Sequence, residues 1–300
     1  MILGAILDLP QFVTLVVNGL ANGAILALAA LGFVLIYKAT EVINFAQGQF
    51  LVIGAFMIYN AHVTWGLPWP LAILLALAAS VLLGVAIERV ILRPLVGEAT
   101  LSVIMVTIGL AAALFALDLL IWGGSPRPGP DFMPKGRVTL PSGAVVGTNL
   151  LMAVVVSAVV FILVGLFFQK SRHGVAMRAV ADDQQAAMVQ GISVNRIFAL
   201  SWALAAASGV IGGLLLANIS NNTSTDLEAF AVLVFPVVIV GGLDSIIGTL
   251  AGGVIVGLVK SFSSFYFKGG IDEIIPFIVL VFILLVKPYG LFGQVRIERV

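Results

Sequence analysis

Three side-chain amides, Asn44, Gln47 and Gln49, stand in a short polar interval, EVINFAQGQF, between two strongly apolar stretches. Amides donate and accept hydrogen bonds, but they are neither acids nor bases at neutral pH. Catalysis would need convergent acids and bases, or a nucleophile beside its base. The sequence contains no such cluster. We therefore expect a protein that is not an enzyme, in which the amides contact a solute, water or other parts of the chain.

Sites for metals, nucleotides and coupling ions are also missing from the sequence. It has no cysteine, and its two histidines are His62 and His173, so soft metal ligands are scarce. The stretch GLVKS resembles a phosphate-binding loop, but Val259 stands where the glycine is required. Asp118 is the one acid deep in an apolar segment, and we interpret it as an interface residue near Trp122. We expect no cofactor.

The composition indicates the environment in which these residues lie. Hydrophobic residues make up 61% of the 300-residue chain and charged residues 10%, with a mean hydropathy of +1.19. Soluble domains have roughly 45–50% apolar and about 25% charged residues. This composition predicts an integral membrane protein in contact with lipid. Because long blocks of alternating polar and apolar residues are absent, we expect the spanning elements to be helices and the protein to be all-α. A net charge of +1 gives no reason to expect a nucleic-acid partner.

Nine apolar segments predict about eight to ten transmembrane or half-spanning helices in one domain, residues 1–300. The segments cover residues 12–37, 45–62, 67–87, 100–122, 149–168, 197–217, 230–240, 246–262 and 274–288. We divide the domain into halves at 12–122 and 149–288, with an outer loop at 123–148 and a cytoplasmic loop at 169–196.

The placement of lysine and arginine predicts the orientation in the membrane. With the N-terminus outside, ten of the 15 basic residues lie on the cytoplasmic side, four lie outside, and Lys260 lies near a helix end. The cytoplasmic set is Lys38, Arg89, Arg93, Lys170, Arg172, Arg178, Arg196, Lys287, Arg296 and Arg299. The outer set is Arg127, Lys135, Arg137 and Lys268. We therefore expect an outside N-terminus and a cytoplasmic C-terminus.

Two segments have features that ordinary membrane helices lack. The segment 230–240 has eleven residues with Pro236 among them, about 16 Å of helix, which crosses only half a bilayer. The intervals Gln47–Phe50 and Gly241–Ser245 are predicted breaks that follow helices of opposite direction. Such a pair predicts an inverted repeat around a transport path. The other interpretation of Asn44–Gln49 is a plain cytoplasmic turn.

The candidate residues for lining this path carry polar side chains or leave room beside the backbone. They are Asn18, Asn22, Asn44, Gln47, Gln49, Gly241, Gly242 and Asp244. Gly19 and Gly23 share the first helix with the two asparagines and permit close helix packing. For Asn18 and Asn22, hydrogen bonds between helices are the favoured role, and contact with a solute is the alternative.

The sequence of the cytoplasmic loop predicts one amphipathic helix from Gly174 to Gly191, and Gly191 ends this helix. Arg178 and Asp182 are spaced as an i,i+4 pair on one face. The other face holds Met177, Ala181 and Met188. The favoured interpretation is a helix that docks on a partner protein. The alternative is a helix on lipid headgroups, which the adjacent Asp182 and Asp183 disfavour because anionic lipid repels them.

Three stretches, in this order, carry a resemblance that extends over nearly the whole chain. They are NGLANGAILALAALGFVLIYKATEVINFAQGQFLVIGAF, GVAMRAVADDQQAAMVQGISVNR and GGLDSIIGTLAGGVIVGL. The sequence resembles the Liv-type permease subunits of branched-chain amino acid ABC importers. It departs from that family in SNNTSTDLEA at 220–229, where relatives often have a glycine- and proline-rich stretch.

The resemblance implies a type II-like ABC importer permease in a bacterial inner membrane. It also implies three kinds of partner: a homologous second permease or a second copy of this chain, two cytoplasmic ATP-binding subunits, and an extracytoplasmic solute-binding protein. The helix from Gly174 would be the coupling helix, with Arg178, Asp182, Asp183 and Gly191 at the ATPase. Branched-chain or related hydrophobic amino acids would be the cargo. Importers of urea, amides and aromatic or carboxylic acids resemble this family too.

The outer loop contains RVTLPSGAVV, which predicts a short hairpin with a Pro-Ser-Gly turn. This loop is the natural docking surface for a binding protein, and a plain cap over the helices is the alternative. A self-sufficient channel or secondary carrier is the second function class that the sequence leaves open.

Overall fold

The computed structural model describes residues 8–267 and 270–293, and each of the nine predicted apolar segments forms helix there. The helices are α1 Leu9–Thr40, α2 Gln47–Tyr59, α3 Trp69–Ile87, α4 Thr100–Trp122, α5 Thr148–Lys170, α6 Arg172–Asp182, α7 Gln184–Val189, α8 Val194–Ser220, α9 Ala229–Val232, α10 Val234–Gly241, α11 Ile246–Tyr266 and α12 Ile271–Val286. A π-helical turn, Asn60–Thr64, extends α2, and a second, Glu88–Leu92, extends α3 into a 3-10 turn at Arg93–Leu95.

Six of the helices are long and apolar enough to cross a membrane: α1, α3, α4, α5, α8 and α11. The segments α2, α10 and α12 are shorter, and α9 and α10 divide the predicted segment 230–240 into two pieces. This agrees with the prediction of an all-α membrane protein that mixes full and partial spans. The termini and the basic residues Lys268, Arg296 and Arg299 lie outside the described residues.

Helix α1 is the centre of the bundle. The side chain of Asp8 caps its first turn by accepting from the main-chain N–H of Gln11 at 2.8 Å. Every residue from Gly23 to Ile36 is buried, although the segment is apolar enough to face lipid. Helices α4 and α5 are mostly exposed, with 22% and 17% of their spanning windows buried. The lipid-facing surface is therefore carried by the outer helices and not by α1.

Helices α1 and α11 pack with their backbones in contact. A Cβ atom on Gly23 would lie 2.3 Å from the main-chain oxygen of Gly253, closer than any side chain allows. The hydroxyl of Ser261 donates to the main-chain oxygen of Leu15 at 2.7 Å, so the helices run antiparallel. This confirms the prediction that glycines of the first helix permit close packing.

The contacts of the two halves correspond pair by pair. In the first half α2 contacts α3 and α4, and in the second half α10 contacts α11 and α12. The central helix of each half packs on the other half: α1 packs on α10 and α11, and α8 packs on α2 and α3. Gly32 of α1 lies beside Ser208 of α8, and Ala29 lies beside Gly212, so these two central helices are antiparallel. This is the pattern that an inverted repeat produces.

The ends of the two central helices share an unusual backbone conformation. Glu41 follows α1 with φ of 59°, and Asn221 follows α8 with φ of 54°. Among the described residues they are the non-glycine positions with positive φ. The counterpart of the break after α1 is therefore the segment after Asn221. The interval Gly241–Ser245 corresponds to the loop between α2 and α3, so the predicted pairing of breaks is corrected.

Two small antiparallel sheets lie where the outer loop was predicted. Strand β1, Arg127–Pro128, pairs with β4, Asn222–Thr223, and strand β2, Arg137–Thr139, pairs with β3, Val145–Gly147. The second sheet is the hairpin predicted from RVTLPSGAVV. The first sheet joins the long loop to the segment that follows α8, because that segment forms β4 and a 3-10 turn, Thr225–Glu228.

Candidate functional site

The first break lies between α1 and α2, at Glu41–Ala46, and not at Gln47–Phe50 as predicted. Gln47–Phe50 forms the first turn of α2. The break precedes it because the side chain of Asn44 accepts from the main-chain N–H of Ala46 at 3.0 Å, which replaces a helical hydrogen bond. The sequence identified the correct polar stretch but placed the break several residues too late.

The start of α2 lies deep beside α1. A Cβ atom on Gly32 would lie 2.2 Å from Nε2 of Gln47, so these two residues are at the same level. Gly32 is eight residues before the end of α1 at Thr40, which is about 12 Å along a helix. The chain therefore leaves α1, folds back along it and starts α2 at depth, so the interpretation as a plain turn at the surface is wrong.

The three amides of this segment are buried with unmet hydrogen-bonding capacity. Asn44, Gln47 and Gln49 are 1%, 3% and 1% exposed. Gln47 donates to the main-chain oxygen of Ala205 at 3.3 Å. Nδ2 of Asn44 and the Oε1 atoms of both glutamines have no partner among the described residues. Buried polar atoms are nearly always paired with protein or water, so these atoms leave hydrogen-bonding positions that water or a solute can take.

Aromatic rings and a hydroxyl hold this break in place. Phe45 packs on Phe235 of α10, with ring centroids 5.1 Å apart, and Phe235 also contacts Phe33 of α1 at 5.6 Å. The hydroxyl of Thr107, on α4, shares its proton between the main-chain oxygens of Ile104 at 2.8 Å and Ile43 at 3.1 Å, and it accepts from the N–H of Phe45 at 3.4 Å. Thr107 is a site residue that the sequence did not reveal, since an isolated threonine in an apolar segment gives no signal.

The second predicted break lies in the turn between α10 and α11. Gly241 and Gly242 are buried, and the chain after α12 covers them, with N–H groups of Leu291 and Phe292 donating to the oxygens of Val240 and Gly241 at 2.9 and 3.0 Å. Asp244 lies beside the end of α1. The structure therefore brings this turn to the last residues of α1 and does not bring it to the three amides.

Asn18 and Asn22 are half-buried on α1. Neither side chain hydrogen-bonds to another residue in the part of the chain that the structure describes, so the favoured role between helices is not observed. Both remain candidates for contact with a solute.

The predicted amphipathic helix of the cytoplasmic loop is two helices, α6 and α7. Asp183 interrupts it with φ of −157°, and its side chain accepts from the N–H groups of Gln185 and Ala186 at 2.8 and 2.9 Å. The prediction of one helix is wrong because an aspartate favours the N-cap over a helix interior. Gly191, with φ of +81°, ends α7 as predicted.

The two faces of α6 and α7 differ from the predicted pattern. Met177, Val180 and Ala187 are buried against the bundle, whereas Met188 is 55% and Val189 86% exposed. Arg178, Asp182 and Asp183 are also exposed, and within the described residues Arg178 and Asp182 form no ion pair. The outward face thus combines charges with bare apolar side chains, as a protein-docking surface does.

A second buried polar group lies near the other end of the bundle. Asp118 is 1% exposed, and its Oδ2 has no partner among the described residues. Trp122, one turn away, stacks on Phe56 with ring centroids 5.0 Å apart, and the Arg127 guanidinium donates to the main-chain oxygen of Trp122 at 2.9 Å. Asp118 lies one turn from Trp122 on α4, and its side chain is buried in the protein.

Comparison with known proteins gives consistent matches over this whole architecture. The sequence matches the family model described as branched-chain amino acid transport system / permease component over residues 15–284. It is 29% identical to the high-affinity branched-chain amino acid transport system permease protein BraD of Pseudomonas aeruginosa, covering 98% of this chain and 99% of that protein. It is 30% identical to LivH, a permease protein of the same description, from Escherichia coli K12, covering 94% and 96%. The LivH protein of Salmonella typhimurium matches with the same identity and the same shares.

Proposed function

The chain belongs to the family of branched-chain amino acid transport system permease components, and we propose that it forms the translocation path of an ATP-driven importer in a bacterial inner membrane. The cargo is a branched-chain amino acid or a related hydrophobic amino acid. The chain is a multi-pass membrane subunit without catalytic residues of its own, so ATP hydrolysis belongs to its partners.

The observation that carries the proposal is the set of unpaired amides at the start of α2. Gln47 lies at depth between the two central helices, with Asn44 and Gln49 close to it in the chain, and each of the three has a polar atom that no described residue satisfies. Neutral amides can hydrogen-bond both the carboxylate and the ammonium group of a zwitterion. The adjacent rings of Phe45 and Phe235 offer an apolar surface for an aliphatic side chain.

The partners follow from the two ends of the bundle. We place the exposed face of α6 and α7 against an ATP-binding subunit, and the sheets around Arg127–Gly147 against an extracytoplasmic solute-binding protein. A second permease, homologous or identical, completes a pair that two ATP-binding subunits serve. The N-terminus then lies outside and the C-terminus in the cytoplasm, as the charge distribution predicts.

The test is reconstitution with the products of the neighbouring genes. We expect this chain to co-purify with ATP-binding subunits, and we expect a secreted binding protein loaded with leucine, isoleucine or valine to stimulate ATP hydrolysis and uptake into proteoliposomes. Urea, short amides and aromatic acids serve as competing cargoes. Uptake of leucine by this chain alone, without ATP, would instead support a channel or secondary carrier.

A further inference from the structure

A cavity of about 160 Å³ lies at the end of the bundle that carries α6 and α7. Its wall is built from the end of α1, the π and 3-10 turns after α3, the start of α4, and α8. Gln184, the first residue of α7, closes one side. The cavity is separate from the three amides at the start of α2, none of which lines it.

One wall of the cavity carries an ion pair in which the carboxylate of Glu88 is buried and the guanidinium of Arg93 is partly exposed. Glu88 is 1% exposed and accepts from Arg93 through both oxygens, with Nε to Oε1 at 3.1 Å and Nη2 to Oε2 at 2.7 Å. The π turn makes this possible, because it brings residues five apart onto one face. The Arg93 side chain is 33% exposed, and its Nη1 has no acceptor among the described residues. These N–H groups can bind a carboxylate.

The rest of the cavity combines negative charge with an apolar wall. Glu98 is exposed and lines the cavity, so a second carboxylate lies beside the Glu88–Arg93 pair. The apolar wall is formed by side chains that are 1–8% exposed: Leu92, Val103, Phe198 and Trp202. These groups match the three parts of an aliphatic amino acid. The guanidinium complements its carboxylate, the carboxylate complements its ammonium group, and the apolar wall complements its side chain.

We propose that this cavity binds a free amino acid with an aliphatic side chain from the side of α6 and α7, and that the bound amino acid slows the ATP-driven cycle. The carboxylate lies on Arg93, the ammonium group lies toward Glu98, and the side chain lies on Phe198 and Trp202. Because Gln184 of α7 shares the cavity with the ends of α1 and α8, an occupant ties α7 to the bundle and favours one arrangement of the two. The inference rests on the proposed function and assigns a regulatory ligand to it.

The experiment uses the complete importer in nanodiscs, with leucine-loaded binding protein present so that ATP hydrolysis is stimulated. Free L-leucine is then titrated well above the amount that saturates the binding protein. We expect the stimulated rate to fall by about fivefold or more, a usual size for coupling between two sites. Isopentylamine, which lacks the carboxylate, and 4-methylpentanoate, which lacks the ammonium group, should each inhibit far less.

Two variants locate the effect. Val96→Trp places a ring in the cavity opening, and Glu98→Gln removes the rim charge without changing the shape. Both should keep the stimulated rate and lose inhibition by leucine. Leu101→Trp, on the lipid-facing side of α4 with a residue exposure of 66%, is the matched control and should stay inhibited.

The outcomes separate this inference from the proposed function. Stimulation by the binding protein without any inhibition by free leucine overturns the cavity proposal and leaves the importer proposal intact. Inhibition that persists in Val96→Trp and Glu98→Gln overturns it as well. If no variant and no wild-type complex shows stimulation, the importer proposal has failed. In that case the cavity is tested by binding of radiolabelled leucine to the complex without binding protein. If the cavity binds leucine, Val96→Trp and Glu98→Gln should bind less of it than the wild-type complex.

Discussion

The ammonium group of Lys38 lies 3.0 Å from the main-chain oxygen of Asp244, to which it donates. This hydrogen bond joins the end of α1 to the turn between α10 and α11, two points 206 residues apart in the sequence. The turn is also covered by Leu291 and Phe292, whose N–H groups pair with α10. The second break is therefore held by the end of the first central helix.

Replacing Lys38 by methionine should loosen this junction. A hydrogen bond with a charged donor contributes about 1.5–3 kcal/mol to stability. Because Lys38 is only half-buried, we expect the variant to lose about 1 kcal/mol of folding free energy. The measurement is the thermal midpoint of the purified chain in detergent. Lys170→Met, at the exposed end of α5, is the control and should have no effect, and equal midpoints for both variants would contradict the assigned role.

Replacing Gly23 by valine should prevent α1 and α11 from packing. The new Cβ would meet the backbone oxygen of Gly253, which cannot move aside as a side chain can. We expect loss of folded protein, measured by size-exclusion chromatography after solubilisation. Gly109→Ala, on α4 where a Cβ meets no atom within 4 Å, should instead raise stability by about 0.5–1 kcal/mol. A well-folded Gly23→Val variant would show that the two backbones can separate.

Replacing Gln49 by leucine should lower uptake without lowering the stability of the protein. Its side chain has an unpaired buried oxygen, so an apolar side chain of similar size should leave the thermal midpoint unchanged or raise it. Uptake should nevertheless fall by about tenfold, the effect of losing roughly 1.4 kcal/mol of interaction with the cargo or its water.

Ser157→Ala is the matched control for Gln49, because Ser157 on α5 also has a buried oxygen without a partner among the described residues. That variant should keep both its stability and its uptake. Normal uptake by the Gln49→Leu variant would show that Gln49, in the first turn of α2, does not line the translocation path.

Gly191 should be required for coupling to the ATP-binding subunits. Its φ of +81° is strained for valine, so Gly191→Val should distort the end of α7 and uncouple ATP hydrolysis from uptake while the chain still inserts. Gly191→Asn should retain most of the uptake, because asparagine tolerates positive φ. The replacements Arg178→Ala and Asp182→Ala should weaken assembly of the complex. Full cargo-driven uptake in all of these variants would exclude this face from docking.

The orientation can be tested with single cysteines, since the chain contains none. We expect Ser125→Cys to react with an impermeant maleimide in intact cells and His173→Cys to react only after the membrane is opened. Both residues are exposed in the structure. Labelling of both from the same side would invalidate the predicted topology.

The sequence predicted the helices well because each membrane span is encoded locally, by about 20 consecutive apolar residues. It misplaced the first break because the burial of Gln47 depends on Gly32 and on Ala205, and Ala205 lies 158 residues away. It also missed the division between α6 and α7, because one aspartate can occupy either a helix interior or a cap. The ion pair of Glu88 and Arg93 was not predicted either, since an ideal α-helix does not bring residues five apart together.

The central position of α1 has a consequence for biosynthesis. Helix α1 leaves the ribosome before its packing partner α11, whose Ser261 bonds to Leu15 across 246 residues of sequence. At about 5–20 residues per second, that partner is completed roughly 12 to 50 s later. During this delay α1 must rest against lipid or an insertion factor with its glycine surface uncovered, and its mean hydropathy of 2.2 allows it to do so. A nascent chain truncated before α11 would therefore keep the glycine surface of α1 uncovered, which would mark it for removal by membrane proteases.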